Sequence, residues 1–120
     1  MRFENVYLES IGAEIPTEIW TSQDIEDRLE PLYSRLKLPQ GRLELMSGIV
    51  ERRVWPEGVV PSGPSIRSGN HAIEAAGIDR DRIGCLIHAS VCRDFLEPAT
   101  ASRVHHGLGL PHQCWVYDVS

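Results

Sequence analysis

No stretch of this chain approaches the run of about 20 apolar residues that spans a bilayer. Met1-Arg2-Phe3-Glu4-Asn5 also lacks a basic segment followed by an apolar one. A cytoplasmic protein with no membrane span is expected. Clustered positive charge is missing too: 12 basic residues are scattered against 17 acidic ones, for a net charge of −5. Neutralising phosphates takes a concentrated basic face, so nucleic acid is excluded as a partner. Cysteine is scarce. Cys85, Cys92 and Cys114 are odd in number and have no C-x-x-C spacing, which fits reduced thiols and neither a disulfide framework nor a zinc site. G-x-S-x-G is absent, and Gly107-Leu108-Gly109 follows a helical stretch instead of leading into one, so it is no phosphate loop.

What is present is a globular composition. Of 120 residues, 42% are hydrophobic and 24% charged, and a chain of this length buries about two thirds of its unfolded surface as one domain. No repeat or linker divides residues 1–120. Phe3, Val6, Leu8 and Ile11 among polar neighbours predict a strand over 3–11. Thr21 and Asp24 then form a helix start, and Ile25, Leu29, Leu32 and Leu36 fall on one face of an amphipathic helix that Pro31 kinks or interrupts. A short helical piece is expected around Leu43–Met46, a strand or extended arm over 49–55, and a loop over 56–64. Pro64 suits the first turn of a helix over 65–76, rich in small residues that allow close packing and stopped at Gly77. Residues 83–90 are apolar enough for a strand covered on both faces. Pro98 opens a helix to His106, and a closing strand follows Pro111. Strand, helix, strand, helix, strand is an α/β order with right-handed crossovers.

Few residues carry chemistry on spacing alone. His105 and His106 are neighbours on a helix, about 100° apart, and cannot chelate one ion together, while His112 lies past the helix stop. No metal site is expected. His88 inside an apolar strand reads as a satisfied core histidine. The stretch Ser90-Val91-Cys92-Arg93-Asp94-Phe95-Leu96-Glu97-Pro98 is different: it leaves the carboxyl end of a buried strand and enters a helix, where α/β folds place ligands and reactive groups. Glu97 is either an exposed acid beside a helix start, held ionised by the helix dipole, or a carboxyl in an apolar pocket whose desolvation makes it a base.

Several pieces, in order, resemble the amino-terminal third of ketoacyl-acyl-carrier-protein synthase III-like condensing enzymes of the thiolase superfamily. They are Ile11-Gly12-Ala13-Glu14-Ile15-Pro16, Thr21-Ser22-Gln23-Asp24-Ile25, Ser47-Gly48-Ile49-Val50-Glu51-Arg52-Arg53, Ala75-Ala76-Gly77-Ile78, Pro98-Ala99-Thr100-Ala101, Leu108-Gly109-Leu110 and Tyr117-Asp118-Val119-Ser120. The resemblance covers the whole chain. It implies a thiolase-like α/β fold, residues 1–120 being part of the first βαβαβ half, a mixed sheet with covering helices. It also implies that the nucleophilic cysteine lies about three residues beyond Ser120 and that the histidine and asparagine of catalysis belong to a later half. None of the five histidines here, nor Cys92 or Cys114, takes those roles; both cysteines fit buried or half-buried thiols. On this reading the 120 residues alone are inactive.

Arg93-Asp94-Phe95-Leu96-Glu97-Pro98 is similar to the branch that joins two fatty acyl thioesters head to head for long-chain olefin or ketone synthesis. There the matching glutamate reaches into the partner subunit's site and removes an α-proton. The resemblance therefore implies a homodimer, Glu97 as base in trans, Phe95 and Arg52 as substrate contacts, and acyl-CoA or acyl carrier protein as the thioester partner, with no other cofactor. Arg52 and Arg53 are candidate phosphate contacts, although solvated or ion-paired side chains are the commoner role for such arginines. One departure is plain: Arg42-Leu43-Glu44-Leu45-Met46 stands where carrier-protein synthases place a tryptophan and an arginine on the coenzyme A adenine. Two alternatives stay open, decarboxylative synthase III chain initiation and a non-catalytic dimerisation or binding module.

Overall fold

The computed structural model describes residues 3–119. They divide into two compact units, Ile15–Gly58 and a second formed by the segment up to Glu14 together with the chain from Val59 onward.

In the Ile15–Gly58 unit, β1 (Glu18–Thr21) pairs antiparallel with β2 (Glu51–Val54), Thr21 opposite Glu51 and Glu18 opposite Val54. Between them run α1 (Ser22–Arg28), α2 (Glu30–Leu36) and α3 (Arg42–Ser47). The start of α1 is the expected capping box: the Asp24 amide donates to the Thr21 hydroxyl, and the Thr21 amide donates to the Asp24 carboxylate. Pro31 sits in the first turn of α2, and the helical run is interrupted at Leu29, two residues before it, as expected. The stripe Ile25, Leu29, Leu32, Leu36 is not the buried face. Leu29, Leu32 and Leu36 are exposed, whereas Ser22, Glu26 and Tyr33 are buried.

That inversion has a specific cause. The Glu26 carboxylate accepts the amides of Gly41 at 2.7 Å and Leu43 at 2.6 Å and the Tyr33 hydroxyl at 3.1 Å, so it caps the turn into α3 from inside. The Leu43 amide bond does most to hold its carboxyl below the ordinary value, against burial, which pushes it up. Tyr33 pays the reverse: burial and then the Glu26 carboxylate raise its phenol.

In the second unit, α4 (Ser62–Ala76) ends at Gly77 in the left-handed conformation, β3 (Cys85–Ala89) leads to α5 (Thr100–Gly107), and β4 (Trp115–Val119) returns parallel to β3. This is a β-α-β unit with Cys85 opposite Trp115 and Ala89 opposite Val119. Ile73, Val104, Leu108, Leu110 and Cys114 form its core, with Ile66, Ile78, Ile83 and Leu86 packed on it. Small residues let the helices meet: a Cβ at Gly107 would run into Ile66, and one at Gly69 would sit 2.9 Å from a Leu108 methyl. Gly12 lies so close over α4 that a Cβ there would strike the Ser68 carbonyl and the Ala72 amide nitrogen, and the Ser10 hydroxyl donates to the Ala72 carbonyl at 2.7 Å.

Two expectations are corrected. Residues 3–11 form no strand; Phe3, Val6, Tyr7, Leu8 and Ile11 are exposed, because a strand needs a neighbouring edge and none of the described residues supplies one. The β3 strand is covered on one face only. Leu86 and His88 face the helices, while Ile87 (64% exposed), Trp115 (69%), Tyr117 and Val119 lie bare on the other side.

Candidate functional site

The loop from Ser90 to Ala99 leaves the carboxyl end of the parallel pair, as its sequence position predicts. Its first residue extends the ladder, the Ser90 amide donating to the Val119 carbonyl at 3.0 Å. Helix α5 begins at Thr100 with Ala99 as its cap, so Glu97 stands ahead of the helix and not in its first turn. The Glu97–Pro98 peptide is cis. Arg93, Phe95, Leu96, Glu97 and Ala99 line a cleft of about 180 Å³ whose remaining wall is Asp118. Glu97 is exposed, and among the described residues its carboxylate has no hydrogen-bond partner. The apolar enclosure that would desolvate it is therefore not built from the described residues.

Asp118 comes from the end of β4 and is strongly held. Its Oδ1 lies 2.8 Å from His88 Nδ1, and its Oδ2 accepts the Ala101 amide at 3.2 Å. The His88 bond is the main cause that draws the Asp118 carboxyl below its ordinary range, with burial opposing. An ionised carboxylate only accepts, so His88 Nδ1 is the protonated nitrogen of this pair. Its Nε2 meets the Ser65 hydroxyl at 3.2 Å. His88 is 8% exposed and satisfied on both ring nitrogens, which bears out its reading as a core histidine. Serine, histidine and aspartate thus lie in a row, but the Ser65 hydroxyl also lies 2.9 Å from the Pro61 carbonyl, an ordinary helical hydroxyl contact, and its single hydrogen serves one of the two acceptors at a time.

Asp94 anchors the loop. Its side chain is 1% exposed, its Oδ1 accepts the Ser62 amide at 2.9 Å, and its Oδ2 accepts from Arg103 at 3.2 Å. Burial pushes this carboxyl up, but the Ser62 hydrogen bonds and the Arg103 charge more than reverse it, leaving it below the usual range.

Of the residues singled out from the sequence, Phe95 and Glu97 therefore line one cleft. Arg52 belongs to the Ile15–Gly58 unit, on β2 opposite Trp20, with its guanidinium 3.5 Å from the Ser22 hydroxyl. Cys114 is buried, and burial raises its thiol, whereas Cys92 is exposed, contrary to the half-buried thiol expected. Asp94 and Asp118 escaped the sequence reading as site residues. The available signal was their position, one in the loop and the other in the Tyr117-Asp118-Val119 motif, but both partners, Ser62 and His88, are about 30 residues away.

No family model matches the chain. Individual relatives do. It is 38% identical over all 120 residues to the acyl-CoA:acyl-CoA alkyltransferase of Shewanella oneidensis, covering 34% of that protein. It is 36% identical over 112 residues to the beta-ketoacyl-[acyl-carrier-protein] synthase III of Aliarcobacter butzleri, covering 92% of this chain and 31% of that one. Among solved structures, cerulenin-bound OleA of Xanthomonas campestris superimposes with a TM-score of 0.86 at 37% identity, over 98% of this chain and 34% of OleA. The chain thus spans about a third of the length of the relatives it matches.

Proposed function

Because these residues belong with the amino-terminal third of the synthase III-like condensing enzymes of the thiolase superfamily, on the side of the acyl-CoA:acyl-CoA alkyltransferases, we propose that they form part of a cytoplasmic, homodimeric acyltransferase. It joins two acyl thioesters by a non-decarboxylative Claisen condensation. In this reading the chain is one stretch of a single thiolase-like domain, and a cysteine following β4 takes an acyl group from acyl-CoA or acyl carrier protein. The Glu97 carboxylate removes the α-proton of a second acyl thioester in the partner's site, and the carbanion attacks the acylated cysteine. A carbon–carbon bond forms, the carbon–sulfur bond to cysteine breaks, and the thiolate is regenerated. Phe95 lines the acyl chain and Arg52 contacts the thioester carrier.

The observation that carries the proposal is the exposed Glu97 carboxylate on the loop between β3 and α5, open to a second subunit, with Phe95 lining the same cleft. A base is required when no carbon dioxide leaves, since decarboxylation of a malonyl unit generates the carbanion by itself. In OleA-type relatives both substrates are acyl-CoA by name, which favours this chemistry over synthase III chain initiation.

The test is Glu97→Gln in the complete gene product supplied with saturated acyl-CoA. Acylation of the enzyme should persist while condensation falls by roughly 100-fold or more, the scale of a lost general base. Unchanged condensation removes the base role, and a product formed only from malonyl thioesters moves the protein to the decarboxylative class.

A further inference from the structure

We propose that Asp94 is a positioning residue that aims Glu97; this rests on the base role argued above. Packing does not fix the segment between them, since Phe95 and Leu96 are exposed, Leu96 by 86%. The hold is polar and lies at the base of the loop. The Asp94 amide donates to the Thr100 hydroxyl at 3.0 Å, closing the chain from Asp94 to Thr100 into a small ring with Glu97 at its midpoint. The Asp94 carboxylate then fastens that ring to the first residue of α4 through the Ser62 amide and to α5 through Arg103. Thr100 is itself 1% exposed, so the lower ends of the ring are immobilised while its apex projects. A short closed loop has few ways to point its apex, and a shift of about 1 Å in a catalytic group costs as much as 100-fold in rate.

A carboxylate that merely glued α4 to α5 would slow every step alike when lost. Asp94→Asn, near isosteric, should instead lower condensation turnover roughly 10- to 100-fold in the complete gene product and leave transfer of the first acyl group to the enzyme within about two-fold of wild type. Combined with Glu97→Gln it should add no further loss, because a residue that acts through Glu97 has nothing left to aim. Thr100→Val, which removes the hydroxyl that closes the ring, should give the same split, and Thr100→Ser should restore wild-type turnover; this pair carries the test if Asp94→Asn does not fold. Equal losses in both half-reactions, or a loss that compounds that of Glu97→Gln, overturn the proposal. Full condensation by Glu97→Gln alone overturns the base role itself, so the two failures are told apart.

Discussion

Glu26, Asp94 and Asp118 each accept hydrogen bonds from at least one backbone amide and one side chain. Such carboxylates hold the chain together only while ionised. All three have folded-state values below the ordinary ones, so the stability they contribute is fully present above the usual carboxylate range and drains away as the pH falls through their depressed values. Unfolding midpoints in urea should be flat near neutrality and drop in acid. In Asp94→Asn that acid-side slope should shrink, because one depressed group is gone; an unchanged slope would show that Asp94 does not contribute. Glu26→Gln should lower the Tm of the protein, since an amide cannot accept the Gly41 and Leu43 amides with both of its end atoms. A Tm equal to wild type would mean the capping of α3 lies elsewhere.

Secondary-structure elements meet here through small residues and caps. Thr21→Ala removes half of the α1 capping box and should cost about 1 kcal/mol in chemical unfolding. Gly107→Val forces a side chain into Ile66, and overpacking of this kind costs on the order of 1–3 kcal/mol; a neutral result would show that α4 and α5 can move apart. Caps were legible because they are local chemistry: Thr21 with Asp24 begins α1 and Gly77 ends α4 where expected, whereas α4 starts at Ser62, within the stretch expected to be loop, and α5 starts at Thr100, past Pro98. The segment 3–11 was misread because alternation marks the capacity to be a strand, and only a neighbour makes it one.

On the scale of the molecule, one face of β3 and β4 lies bare. Ile87, Trp115, Tyr117 and Val119 form a contiguous apolar surface on a two-stranded sheet, a feature that promotes association. The 120-residue chain expressed alone should sediment above the 13.5 kDa monomer, and Ile87→Lys should shift it back; a monomeric wild type would show that the face tolerates water. By itself the sequence determined the helix stops, the β-α-β order, the absence of a basic face and the place of the Glu97 loop between β3 and α5, all of which depend on residues near one another or on bulk composition. Tertiary structure alone decided which face of α1 and α2 is buried, that Asp94 ties the loop to two helices, and that Asp118 closes the cleft beside Glu97. Those depend on partners tens of residues apart, and no local pattern encodes whether a carboxylate will find an amide across the fold.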